Sequence, residues 1–244
     1  MLAPSPSSAR IPFVDMLRGI ALAAMAIYHF FWDLEFFGFA DLGVTTELHW
    51  LAFARTVAAS FLAIVGIALV LGHGETIKPR PFLRRLTVIV VAAGAITGLS
   101  TFINPKAIIW FGMLHCIAVS SVIGLLFLRL PVIVVIAAGM ACIAAPYFLT
   151  SSIFNGPHWL WLGLASEIMP SSDYTPLLPW FGYVLFGITL ARVISPHRWP
   201  LWPPRDAVSK ALCLAGRHSL LVYLAHQPLL MGALWLVARA VDRG

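Results

Sequence analysis

Apolar residues run along this chain in blocks of about 20, the length needed for a helix to cross a bilayer. Seven such blocks stand out, at 13–37, 50–72, 82–103, 107–128, 131–149, 177–195 and 218–240. A further segment, HWLWLGLASEIM at 158–169, is shorter and rich in Trp, as expected of a stretch at the membrane interface. Pro131, Pro146, Pro157, Pro170, Pro176 and Pro179 punctuate the later joins. The pattern predicts an all-α polytopic membrane bundle of about seven transmembrane helices.

The charges between the blocks orient that bundle. One set of ends and loops holds Arg10, Arg18, Lys78, Arg80, Arg84, Arg85, Arg129, Arg192, Arg198, Arg205, Lys210 and Arg217. The other holds Arg55, Lys106, Arg239 and Arg243, a division of twelve against four. The excess of Lys and Arg on cytoplasmic loops then puts the N-terminus in the cytoplasm and the C-terminus outside. Loops 38–49 and 150–176 carry Asp41, Glu47, Glu167 and Asp173 but no Lys or Arg.

Composition agrees. The chain is 60% hydrophobic and 11% charged, with a mean hydropathy of +0.90, far from the quarter charged typical of a soluble domain. The net charge of +6 records topology and contact with anionic head groups. The basic residues lie in scattered loops, which excludes nucleic acid as a partner. Cys116, Cys142 and Cys213 are far apart, with no CxxC, so they read as packed thiols. Residues 1–10, MLAPSPSSAR, read as a disordered tail, and 11–244 as one transmembrane domain. The first apolar block runs on into FFWDLEFFGF without a small-residue cleavage site, so it reads as an uncleaved helix. GAITG at 94–98 fits the close-packing pattern of two glycines four apart.

Polar residues inside the blocks are where chemistry would sit, because ionisable groups within a membrane are costly and usually functional. His29 and Asp33 are four apart and share one helix face, with Trp32 and Phe36 beside them. At 1.5 Å per residue His29 is about 17 Å above Arg18. A carboxylate next to an imidazole can set its tautomer and raise its basicity. The alternative is that Asp33 and Glu35 merely end the helix at the interface while His29 is hydrogen-bonded in the core. Glu35 points to another face. His49 and Arg55 mark the outer end of the second block, and His115 lies about 12 Å below the outer end of the fourth. His226 lies about 12 Å above the inner end of the seventh. His29, His49, Arg55 and His115 could converge in the outer half. A hydroxyl partner in the core would equally explain His115 and His226, and snorkelling would explain Arg55.

A second group collects at the cytoplasmic ends: Asp15 and Arg18, Arg84 and Arg85, Arg217 and His218. Arginines at helix ends suit phosphates, although topology alone would also place them there. No Walker loop, dinucleotide fingerprint, HExxH or GxSxG occurs, and no metal site is expected. His29, His115 and His226 stand at three different depths, which argues against a haem held between them.

DMLRGIALAAMAIYHFFWDLEFFG, then FLAIVGIAL, FGMLHCIAVSSVIG and GRHSLLVYLAHQPLL, together resemble the bacterial branch of the heparan-α-glucosaminide N-acetyltransferase family over about residues 10–235. The Asp-x-Leu-Arg-Gly opening and the Gly-Arg-His-Ser-Leu…Tyr-Leu-x-His-x-Pro close carry most of that likeness. The resemblance implies transmembrane acetylation, with cytoplasmic acetyl-CoA as donor and a sugar amine or hydroxyl waiting on the other side. It places a catalytic histidine just before the second helix, where this chain has His49. It puts His29 where the lysosomal member has an asparagine, so His29 and His49 both stand as the base or transient acyl carrier. Asp33 would orient His29. Trp32, Arg55, His115 and His226 would line the acceptor side, and Asp15, Arg18, Arg84, Arg85, Arg217 and His218 would hold CoA. A non-enzymatic transporter or flippase of small solutes is the alternative; its mark would be two related halves with broken helices, which are not seen. The expected partners are membrane lipid, CoA and a small-molecule or glycan acceptor, with a homodimer left open.

The charge asymmetry generates a direct test of topology. Single cysteines placed at Thr76 and Asp173 should react with an impermeant thiol reagent from opposite sides of the membrane. Labelling of both from the same side would contradict a seven-span arrangement.

Overall fold

Both ends of the first helix follow from its sequence. α1 spans Pro12–Phe36 in a computed structural model that describes residues 11–194 and 204–241. Pro12 stands in the first turn after an extended Ile11, where a missing N–H costs no helical bond. At the other end Gly38 adopts φ +74°. The Phe39 N–H bonds to the Leu34 carbonyl at 2.9 Å and the Gly38 N–H to the Glu35 carbonyl at 3.0 Å, a left-handed closure that a side chain would strain. The Glu35 carboxylate accepts from the Val44 N–H at 2.8 Å and so pins the loop that follows. The expected tail at 1–10 lies outside the described residues, as do Arg10, Arg198 and Arg243.

Seven further helices follow: α2 (Leu48–His73), α3 (Pro79–Ile103), α4 (Met113–Phe127), α5 (Val132–Leu149), α6 (Leu177–Val193), α7 (Ala207–Arg217) and α8 (Ser219–Val241). The described residues form no strand. Five helices, α1, α2, α3, α5 and α8, are long and apolar enough to cross a membrane, and α4 and α6 are shorter apolar helices. The chain is a multi-pass, all-α membrane protein. α4 is shorter than its apolar block because 104–112 folds as a loop around Pro105. α7 lies in a stretch that the hydropathy pattern leaves as a loop. Its signal is local: Asp206 caps it by accepting from the Ser209 N–H at 2.8 Å. The same hydrogen bond holds the Asp206 carboxyl below its usual range.

The chain divides into two compact units, with the division falling within α2 after Val57. The first unit holds α1, the start of α2, α7 and α8. Its core is a stripe on α1 formed by Val14, Asp15, Gly19, Leu22, Met25 and Asp33, all buried. In lipid, apolar side chains gain little by leaving one greasy surface for another, so helices associate through close backbone packing and hydrogen bonds. α1 and α7 meet in that way. A Cβ added at Gly19 would collide with the Leu212 carbonyl, and one at Gly216 with the Asp15 carbonyl.

The second unit holds the rest of α2 and α3 to α6. Leu62, Leu69, Val135, Val184, Leu185 and Ile188 are the largest of its fully buried aliphatic residues. α2 and α6 approach through Gly66, which faces the Val184 carbonyl, and Gly187, which faces the Ala63 carbonyl. Gly139 and Gly182 bring α5 and α6 together. The GAITG pattern does none of this: a Cβ at Gly94 or Gly98 would meet nothing within 4 Å. Spacing alone does not say which face of α3 is covered.

This contrast is testable by thermal unfolding in detergent. Gly216→Ala should destabilise the protein by about 1–3 kcal/mol, because the new methyl group must push α7 off α1. Gly98→Ala should not destabilise it, and better helix propensity would favour it by up to about 1 kcal/mol. Equal behaviour of the two variants would contradict the packing described.

Candidate functional site

The stripe that α1 turns toward α7 and α8 carries charge at one end. Asp15 is 2% exposed, in the first turn of α1. Its Oδ1 lies 3.3 Å from Arg18 Nη1, and its Oδ2 lies 3.5 Å from Arg217 Nε at the end of α7. Two guanidinium groups thus share one buried carboxylate. His218 caps the C-terminus of α7 and is exposed. Arg84 and Arg85 are exposed in the second turn of α3, in the other unit.

Four turns further along the same stripe, α1 presents His29 and Asp33 to α8. The rings of His29 and His226 are 5.0 Å apart. Asp33 is 0% exposed, and its Oδ1 accepts from Gln227 Nε2 at 2.7 Å. The Asp33 bond expected within α1 thus runs across to α8. His29 and His226 do not stand at different depths, as residue counting had placed them. Counting fixes height along one helix only, whereas the stagger of α8 against α1 is set by packing.

The seam is short of partners. His29 Nδ1, Asp33 Oδ2, His226 Nε2 and Gln227 Oε1 are all buried with no hydrogen-bond partner among the described residues. Each orphaned group costs about 1–3 kcal/mol, and four in one place are a concentrated expense in an otherwise apolar bundle. Such a set is kept where something polar enters. Tyr28 meets the His29 ring edge-on at 5.5 Å, and Tyr223 lies 5.7 Å from the His226 ring. Trp32 stacks on Phe36 at 5.2 Å, one turn along α1.

His115 is the counter-example. Its Nδ1 accepts from the Gly112 N–H at 3.3 Å, at the start of α4. Its Nε2 must then carry the proton and donate to Thr97 Oγ1 at 3.3 Å; the Thr97 hydroxyl in turn donates to the Ile109 carbonyl at 2.6 Å. Asp173 completes the cap: Oδ2 accepts from the Met113 N–H at 2.9 Å and Oδ1 from the Thr175 hydroxyl at 2.9 Å. Burial pushes the Asp173 carboxyl above its ordinary range while these two bonds pull against it. Every nitrogen of His115 is used, which gives it a structural role at the head of α4.

His49 and Arg55 are exposed on the first turns of α2. Trp50, beside His49, packs on Phe31 at 5.0 Å and on Tyr28 at 6.4 Å, so α2 reaches α1 through its tryptophan. Gln227 is the seam residue that sequence reading did not single out. Its signal was its place beside His226 in an otherwise apolar run, followed by Pro228, which removes one helical N–H and leaves the Leu224 carbonyl without its usual donor.

The family model described as Heparan-alpha-glucosaminide N-acetyltransferase, catalytic, matches residues 10–228 of this chain, a span that includes both polar groups of α1, all of α7 and the seam residues of α8. No curated protein and no solved structure matches the chain.

Proposed function

The chain belongs to the heparan-α-glucosaminide N-acetyltransferase catalytic family, and from that premise we propose that it carries an acetyl group from cytoplasmic acetyl-CoA to an acceptor at the extracytoplasmic face of a bacterial inner membrane. The family as a whole uses acetyl-CoA as its donor. The acceptor is an amino sugar or glycan presenting an amine or hydroxyl. The family match over residues 10–228 is the observation that carries this reading.

The physical arrangement supports it in two ways. Acyl transfer from a thioester needs a base, room for a polar nucleophile and a hold on the donor. The α1–α8 seam offers buried, unpartnered nitrogen and oxygen atoms at His29, Asp33, His226 and Gln227, and there we place the reacting centre. His29 belongs to it by position. His49, exposed at the start of α2, does not share that environment. At the other end of the stripe, Arg18 and Arg217, with Asp15 between them, are suited to the CoA phosphates, with His218 beside them. Arg84 and Arg85, exposed on α3 of the other unit, are cationic groups of that unit. Trp32 and Arg55 stand as acceptor-side residues, and His115 serves the fold.

The test is acetyl transfer by the purified protein reconstituted in vesicles, with radiolabelled acetyl-CoA and glucosamine as probe acceptor. Wild type should label glucosamine. His29→Ala should lose about 10²-fold or more, the usual scale for a positioned acid–base group. Asp33→Asn should lose part of that activity. His49→Ala and Glu35→Gln should stay within a few-fold of wild type. Full turnover by His29→Ala would overturn the placement of the reacting centre, and no transfer by wild type would overturn the acetyltransferase reading.

A further inference from the structure

A base needs a lone pair that is aimed and unoccupied, and a second hydrogen bond that keeps it so. His226 has both. Its Nδ1 is hydrogen-bonded to the Tyr223 carbonyl, one turn back along α8. A carbonyl oxygen only accepts, so Nδ1 carries the hydrogen, and in the neutral ring the lone pair is on Nε2. That Nε2 is buried without a partner among the described residues, in a ring 5.0 Å from His29. His29 is placed differently: its Nδ1 has no partner among the described residues, and the nearby Asp33 spends its hydrogen bond on Gln227. The base-and-orienter pairing that spacing suggests for His29 and Asp33 is thus found in the geometry at His226 and the Tyr223 carbonyl.

We infer that His226 is a catalytic base of the transfer, with Nε2 as the atom that takes the acceptor's proton and the Tyr223 carbonyl as its orienter. The inference rests on the acetyltransferase reading given above. In the step, the acceptor's amine or hydroxyl attacks the thioester carbonyl carbon. The new C–N or C–O bond forms and the C–S bond breaks. The acceptor's proton goes to His226 Nε2, and CoA leaves as the thiolate, which the imidazolium or solvent then protonates. No oxidant or reductant is involved. The Asp33–Gln227 bond fixes the register of α8 on α1, and so fixes where His226 stands relative to His29.

His226→Asn tests this. An asparagine amide N–H stands where Nδ1–H stands in histidine, so it can still donate to the Tyr223 carbonyl, but nothing replaces Nε2. The variant should retain thermal stabilisation by CoA and lose about 10²-fold or more in kcat for glucosamine acetylation. A purely structural histidine would tolerate the change, and turnover within a few-fold of wild type would overturn the inference while leaving the acetyltransferase reading intact. If His226→Asn does not fold, His226→Gln decides under the same assay and the same two outcomes. Absence of transfer by wild type itself would sink the underlying reading, and this one with it.

Discussion

One hydrogen bond organises the α1–α8 seam of this molecule: Gln227 Nε2 donating to Asp33 Oδ1 at 2.7 Å. A carboxyl group that is 0% exposed on a membrane helix must be met by a donor, and α8 supplies it. α8 buries none of its residues fully in this chain, so apolar packing alone gives it little reason to adopt one register on α1. The polar pair does give it one. With that register fixed, His226 comes to face His29, and the seam becomes a defined place instead of two polar positions on neighbouring helices.

The α1 stripe then reads as one line with two jobs. Its first turn holds Asp15 between Arg18 and Arg217, and Gly19 lets α7 come close enough for Arg217 to reach. Fourteen residues on, about 21 Å along the axis, it offers His29 and then Asp33 to α8. The near end is satisfied by opposite charges. The far end keeps four buried atoms that no described residue pairs. His115 shows how this fold treats a histidine that it uses for structure: both nitrogens are hydrogen-bonded, and Thr97 and Asp173 are drawn in to finish the cap. The difference between His115 and the His29–His226 pair is the physical basis for separating scaffold from site.

Much of this could be read from the chain. Asp15, Gly19, Leu22, His29 and Asp33 recur at spacings of four, three, seven and four, the signature of one helix face, and the apolar blocks locate seven apolar helices, five of them long enough to cross a membrane, to within a few residues except at the start of α4. What could not be read were contacts between distant segments. The meeting of His226 with His29 depends on the stagger of two helices separated by nearly the whole sequence. The capping role of His115 depends on Thr97 and Asp173, which spacing does not connect to it. Glycine patterns mislead for the same reason: Gly94 and Gly98 match a packing motif but face open space, while Gly19 and Gly216 match none and form the tightest approach in their unit. α7 was hidden because its apolar face is too short to stand out in a hydropathy profile and is announced only by its Asp206 cap.

The measurement that tests this arrangement most directly is an experimental structure of the full chain in a lipid nanodisc with CoA bound. The phosphates should lie against Arg18 and Arg217, and the thiol sulfur should point into the α1–α8 seam beside His29 and His226. A thiol lodged elsewhere, at His115 or against the exposed His49 for example, with the seam closed and dry, would contradict the assignment of the seam as the place where the acetyl group changes hands.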